Sequence, residues 1–437
     1  MEENRMEAEE KQQDTQYVEE AGSQGVQMLV AAKKKGSFKK GLAAGIAGCL
    51  AVVTVTVAAL AGTGVLDIRI GQQTNHVLTK EVEKKLDKLI GQIDLYYYED
   101  IDTDKLATGL YKGLFEGLED PYSVYYTEEE YDDMMISTNA NYYGIGAVLS
   151  QDKDTMRVTI TKVYEDSPAK KAGLKAGDMI VQVGDITATS MELSDLVTKI
   201  RGEEGTTVHL KIYREGENDY QEIDVKRGKV DIPTVSSKLL EDTIGYIQVS
   251  EFAENTAEQF KTAVTDLQAQ GMKAMIIDLR DNGGGLLTSC QEMLDEILPE
   301  GTVVYTEDKY GNRQDLTSDA EHYLDLPLAV LVNGNSASAS EIFAGAIRDF
   351  DYGTLIGTKT FGKGIVQNIK QLADGSAYKL TVAKYYTPSG EYIHGQGIEP
   401  DVTLEYEYTG DTDADTYDQM KDNQVLKAIG VLQSEIK

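Results

Sequence analysis

Residues 274–290 read AMIIDLRDNGGGLLTSC, and residues 328–347 read LAVLVNGNSASASEIFAGAI. Each opens on an apolar run of strand length, passes through a turn of small polar residues and continues into a helix-forming stretch. Apolar runs without polar alternation belong in a sheet covered on both faces. Strand, turn and helix repeated in this way predict an α/β domain. Working outward, Ile244–Val249 is a further strand. Asn255 with Glu258 three residues on predicts a capping box for a helix whose buried face is Phe260, Ala263, Val264 and Leu267, closed by Gly271. Leu286–Leu298 and Ser338–Phe350 are expected as helices. An acidic loop, Tyr406–Asp415, precedes a last amphipathic helix, Tyr417–Ile436.

Upstream, from Tyr143 to Gly228, the pattern changes to short strands: Val158 to Val163, Met179 to Val183, and Val208 to Ile212. Two short helices fit between them, Ser167–Ala172 and Met191–Ile200. Before that, Val82, Leu86, Leu89, Ile90 and Ile93 form one helical stripe, and Leu106, Leu110, Leu114 and Leu118 a second. These stripes imply packing or self-association and would suit a homodimer. Asp120-Pro121-Tyr122-Ser123 is a turn.

Residues 41–66 carry no charged side chain, and Lys33, Lys34, Lys35, Lys39 and Lys40 stand before them. About 20 apolar residues cross a bilayer, and the positive side stays in the cytoplasm. The run predicts a single uncleaved membrane helix, with residues 1–40 a cytoplasmic disordered tail and everything after Leu66 extracytoplasmic. Three other readings were open: a buried soluble helix, a cleaved secretory signal, and a lipoprotein box at Ile46-Ala47-Gly48-Cys49. The apolar run is too long for the first two and continues well past Cys49. The 437 residues carry a net charge of −32, which excludes nucleic acid as the main partner. Two cysteines and four histidines exclude a disulfide framework and leave little for a metal site; no cofactor is expected.

The chemistry falls in two turns and a loop. Asp281-Asn282-Gly283-Gly284-Gly285 brings backbone N–H groups to a helix start. Asn333 to Glu341 places small hydroxyl residues at a second one. Serines there are ordinarily helix caps. Two N–H-rich turns at neighbouring strand ends also make an oxyanion hole beside a serine nucleophile, and Ser338 is placed for that role. The histidines His76, His209, His322 and His394 lack signalling context as its base. A lysine made neutral by burial serves instead, and Lys363 is the candidate, in the apolar, glycine-flanked stretch Thr360 to Gln367. Gln367 could hold its amine. Gly357 to Lys363 also spells the start of a phosphate-binding loop. Gly364 stands where Ser or Thr is needed, and a strand-like stretch follows instead of a helix, so the nucleotide reading fails.

Taken in order, Asp120–Ser123, Tyr143–Ala147, Asp278–Gly285, Ser336–Glu341 and Phe361–Gln367 resemble the carboxyl-terminal processing (tail-specific) proteases over about residues 120–402. The resemblance implies a crotonase-like α/β protease core with an inserted PDZ domain. It also implies a Ser–Lys dyad of Ser338 and Lys363, with Gln367 orienting the lysine and Gly284 and Ala339 as oxyanion donors. Glu341 matches a motif glutamate. Gly283 departs from the proline that many members have, which loosens the turn without removing a donor. In the PDZ unit, Gly144, Ile145, Gly146 and Ala147 match the loop that holds a peptide's terminal carboxylate; Ser167–Ala169 and Gly173–Asp178 match the module too. Arg201 is a candidate link between peptide binding and proteolysis.

The expected organisation is a tail (1–40), a membrane helix (41–66), a helical region (67–140), a PDZ domain (141–228), a protease core (229–405) and a C-terminal loop and helix (406–437). The expected partners are proteins with exposed C-termini. The expected function is serine endopeptidase cleavage of such substrates outside the cytoplasm. One alternative is a peptide-binding scaffold with an inactive protease core. The other is an acyl-CoA-type hydratase or isomerase, which would need neither the PDZ-like insert nor an anchor.

Overall fold

The computed structural model describes residues 77–319, 321–411 and 417–436. The tail, the apolar run at 41–66 and His76 lie outside the described residues, as do residues 412–416 of the acidic loop. No described helix is long and apolar enough to cross a membrane. The chain divides into two units, Met1–Ile101 and Asp102–Lys437.

In the first unit, α1 (Lys80–Tyr96) starts at Thr79, whose hydroxyl accepts the Val82 amide at 3.3 Å. Val82, Leu89, Ile90 and Ile93 of the predicted stripe are exposed.

The second unit opens with α2 (Thr103–Glu116), capped by Asp102, which accepts the amides of Asp104 and Lys105. Leu106, Leu110, Leu114 and Leu118 are exposed. After β1 (Val124–Tyr126) comes α3 (Glu128–Asn139). Its start is fixed by a capping box, with Thr127 Oγ1 accepting from Glu130 N and Glu130 Oε2 from Thr127 N. Three glutamates in its first turn suit the positive end of the helix.

The chain next enters a β-rich unit with its own core. β2 (Asn141–Gly144) leads in, and β9 (Gly228–Asp231) leads out antiparallel beside it. Between them lie β3 (Ala147–Gln151), β4 (Val158–Val163), α4 (Pro168–Lys171), β5 (Met179–Val183), β6 (Ile186–Thr187), α5 (Leu193–Ile200), β7 (Thr207–Tyr213) and β8 (Gln221–Lys226). The sheet order is β3-β4-β5-β7-β8, with β6 beside β5. β7 alternates as a half-buried strand should: Val208, Leu210 and Ile212 point inward while Thr207 and His209 are exposed. Ile160, Leu174, Leu196 and Val225 complete that core.

The α/β part follows: β10 (Val235–Leu240), β11 (Ile244–Val249), α6 (Thr256–Ala269), β12 (Ala274–Asp278), α7 (Leu287–Asp295), β13 (Gly301–Asp308), β14 (Arg313–Ser318), β15 (Leu328–Val332), α8 (Ala339–Asp349), β16 (Thr354–Gly357), β17 (Ile365–Gln371), β18 (Ala377–Tyr386), β19 (Val402–Thr403) and α9 (Asn423–Glu435). One sheet runs β10-β11-β12-β15-β16-β19, parallel from β11 onward. Both its faces are covered, so every residue of β12 and β15 is buried. Met275, Ile277, Val330 and Val332 pack in one cluster with residues of α6, α7 and α8. Ala274, Ile276, Ala329 and Leu331 pack in another with Val425, Ile429 and Leu432 of α9. The second sheet is built on β18, which pairs with β1, β13 and β17.

Three local expectations are corrected. Asn255 stands before α6 but its side chain accepts none of the helix's first amides, because its amide nitrogen is drawn to the carbonyls of Ala140 and Ile232. The helix expected over 286–298 is shorter, Leu287–Asp295. The last helix starts only at Asn423, where Asp422 Oδ1 accepts the amides of Gln424 and Val425.

Candidate active site

β12 and β15 are neighbours in parallel, so the two glycine- and serine-rich turns at their C-terminal ends lie side by side. Ligands collect at such strand ends in open α/β sheets. Side chains stitch the turns together. Ser336 Oγ donates to the Leu279 carbonyl at 2.7 Å, and the Ala337 amide and Ser340 Oγ both donate to the Asn282 carbonyl. Asp281 Oδ1 accepts from Asn333 Nδ2 and Asn335 Nδ2 at 3.0 and 2.8 Å, bonds that hold its carboxyl below the usual range.

Ser338 sits at the junction with α8 with φ 55° and ψ −114°, a conformation that non-glycine residues rarely adopt. Such strain survives only where the surroundings enforce it, and it concentrates at functional sites. Here the enforcing group is Glu341, which is fully buried. Its Oε2 accepts the amides of Ser338 (2.9 Å) and Lys363 (2.8 Å); its Oε1 accepts the Gly362 amide (2.7 Å) and the Thr360 hydroxyl (2.6 Å). One carboxylate thus grips the backbones of both residues. The helix-start pattern Ser338…Glu341 signalled a cap, but the sequence carried no sign that the carboxylate reaches the lysine loop.

Lys363 precedes β17 and is half-buried. Its ammonium lies 4.6 Å from the ring centroid of Tyr122. Burial and the nearby Lys379 push its pKa below the ordinary lysine value, against the pull of Asp120 and Glu341. The turn at 120–123 presents that ring: the Tyr122 amide and the Ser123 hydroxyl both donate to the Asp120 carboxylate. In the sequence Tyr122 marks a turn and carries no sign of this contact.

Ser338, Ala339, Lys363 and Gln367 line one cavity of about 310 Å³, together with Gly283 and Gly285 and an apolar wall that includes Phe252 and Leu286. Gln367 is not bonded to Lys363; its Nε2 donates to Thr381 Oγ1 at 3.4 Å. The Gly284 amide, expected as an oxyanion donor, is taken by Asn282 Oδ1 at 2.9 Å. The Ala339 amide has no backbone acceptor among the described residues. At φ +103°, a Cβ on Gly284 would come within 2.7 Å of Ser338 Cβ and the Ala337 carbonyl. Gly284→Ala is therefore expected to cost at least about tenfold in kcat, because the serine must shift by a few tenths of an ångström; steady-state kinetics on a peptide checks this.

The described histidines do not line this cavity. His394 instead supports the lysine loop, with Nδ1 accepting the Gly364 amide at 3.2 Å. Asp295, Asp319 and His322 converge as metal-ligand types, but they too lie outside its lining.

In the β-rich unit, Ile145 is buried, its carbonyl takes the Ala169 amide at 2.6 Å, and Gly146 has φ +80°. The Gly146 and Ala147 amides face the Tyr142 phenol oxygen, and burial raises that phenol's pKa. The Arg201 guanidinium lies 5.3 Å from the centre of the Tyr142 ring and pairs with Asp133 of α3 at 3.0 Å. Met134, Ser137 and Thr138 of the same helix line the serine–lysine cavity.

Three family models match the chain: peptidase family S41 at residues 243–404, a PDZ domain at 159–214, and the N-terminal domain of the activating protease CtpB at 45–130. The chain is 38% identical over 322 residues to the carboxy-terminal processing protease CtpA of Bacillus subtilis, an alignment covering 74% of this chain and 68% of that protein. It is 34% identical over 324 residues to a probable CtpA-like serine protease of Staphylococcus epidermidis, covering 74% of this chain and 65% of that one. A solved photosystem II D1 C-terminal processing protease is 28% identical, with a TM-score of 0.43, covering 75% of this chain and 87% of that chain. The chain therefore belongs to peptidase family S41 and is a serine-type carboxy-terminal processing peptidase carrying a PDZ domain.

Proposed function

We propose that the protein is held in the cell membrane by residues 41–66 and cleaves extracytoplasmic proteins near their C-termini with a Ser338–Lys363 dyad. The observation that carries the dyad is the buried Glu341 carboxylate, which grips the amides of both residues at the wall of one cavity. Neutral Lys363 takes the proton of the Ser338 hydroxyl. The oxygen attacks the scissile carbonyl, and the amine leaves with a proton returned by Lys363. Water then releases the acyl group by the same proton relay. The Ala339 amide donates to the oxyanion; with Gly284 engaged by Asn282, the second donor comes from Gly283 or Gly285 at the cavity rim. Gln367 acts on Lys363 only after leaving Thr381.

Substrate tails are selected by the Gly144–Ala147 loop, which receives the terminal carboxylate once the Tyr142 phenol that faces the Gly146 and Ala147 amides moves aside. A C-terminal peptide is expected to bind at least about tenfold more tightly than its amidated form, since a charge-assisted hydrogen bond is lost; calorimetric titration of the full chain measures this, and equal affinities would remove the assignment. The route from this loop to the cavity runs through Tyr142, Arg201 and Asp133 to α3. Arg201→Ala is expected to leave cleavage of a short chromogenic peptide within about threefold of wild type while abolishing its stimulation by an added C-terminal peptide. Stimulation that survives in Arg201→Ala would exclude that route. The anchor is tested by fractionation: deleting residues 41–66 should move the protein out of the membrane pellet.

A further inference from the structure

The Glu341 carboxylate fixes the amide side of Ser338 and Lys363. The carbonyl side of the same two residues converges on one phenol. Tyr385 of β18 is 1% exposed. Its hydroxyl reaches the Ser338 carbonyl at 3.1 Å and the Lys363 carbonyl more closely still. Both partners are acceptors and the phenol has a single proton, so the two carbonyls share one donor. Burial raises the pKa of this phenol well above the usual value, so the proton stays on the oxygen.

The main chain repeats the tie, because the Tyr385 amide donates to the Gly364 carbonyl at 3.2 Å. The Ser338 carbonyl also starts α8, accepting the amides of Glu341 and Ile342. Lys363, by contrast, lies ahead of β17 and outside its ladder. Tyr385 therefore joins an irregular loop to the first turn of a helix, within the core cluster that holds its ring.

We propose that the Tyr385 hydroxyl is a positioning group that sets the separation of the Ser338 hydroxyl and the Lys363 amine by holding their two carbonyls to one point. The inference rests on the Ser338–Lys363 reading above. Tyr385 does not touch the reacting atoms in this role. It removes the freedom of the lysine loop to drift from the helix start, and a drift of about 1 Å costs on the order of a hundredfold in rate.

The test is Tyr385→Phe in the full chain, which keeps the ring in the core and removes only the donor. Rates are measured on a peptide and divided by the number of Ser338 sites titrated to completion with a fluorophosphonate, so that misfolded protein drops out. The expected result is a kcat per site lower by about 10–100-fold, with KM within about twofold of wild type. The rising limb of the kcat–pH profile moves to higher pH, because a released loop lets water reach the amine. A wild-type kcat per site with an unmoved limb overturns the proposal, even where the melting temperature or the fraction of titratable sites has fallen, for that pattern marks a phenol that only stabilises the fold. Lys363→Met is run beside it. If that variant turns over normally, the dyad and this inference fall together. If it is inactive while Tyr385→Phe is unaffected, this inference alone fails.

Discussion

Lys363→Met is expected to lower kcat by about 10⁴-fold or more while raising the melting temperature at neutral pH. The first effect follows from removing the base of a unit whose members act together, where loss of one group approaches loss of all. The second follows from the direction of the lysine's pKa. Burial lowers it in the folded protein, so between that value and the ordinary one the unfolded chain holds more protons than the folded one. Stability therefore rises with pH through this window, and below it the folded state carries the full cost of a poorly solvated ammonium. A methionine carries no such cost. Differential scanning calorimetry at pH 7 and at pH 10 checks the sign: the advantage of the methionine variant should shrink toward alkaline pH. A variant that melts below wild type at pH 7 would mean that the Tyr122 ring and the two carboxylates outweigh desolvation.

Glu341→Ala is the change expected to damage both fold and rate. Four donors, the amides of Ser338, Gly362 and Lys363 and the hydroxyl of Thr360, would lose their acceptor inside the protein. Each unsatisfied buried donor costs about 1–3 kcal/mol, so a loss of about 3–5 kcal/mol is expected after relaxation and entry of water. Urea unfolding monitored by far-ultraviolet dichroism measures it. Glu341→Gln keeps the shape but turns an N–H₂ toward other N–H groups. Its kcat should fall about 100-fold with a smaller loss of stability. A Gln variant with wild-type kcat would show that the carboxylate serves the fold alone.

The parts of this molecule legible in the sequence are those governed by local periodicity. β15 is apolar end to end, and β11 and β12 nearly so apart from Gln248 and Asp278, because helices cover both faces of their sheet, and α6 buries the four residues that its spacing picked out. The β13–β14 hairpin gave no comparable signal, since most of β14 is exposed and polar. The same boundary runs through the site. Ser338 and Lys363 stood out because a serine at a helix start and a lysine among glycines are chemically suggestive. Glu341 and Tyr385 act across 19 to 47 residues and Tyr122 across a far longer stretch of chain, through contacts that only the packed structure creates. Gly284 and Gln367 show the reverse. Their residue types fitted the expected roles, but Asn282 and Thr381 compete for their polar atoms.

The paired strands β2 and β9 bring the two ends of the β-rich unit together across a ladder of four residue pairs. Because its chain enters and leaves at one place, everything from Ile145 to Arg227 can be lifted out and replaced by a tight turn without rethreading the rest. The recognition module is in that sense a cartridge. A different tail preference could be fitted by exchanging it, provided the newcomer offers Asp133 a cation in the place of Arg201.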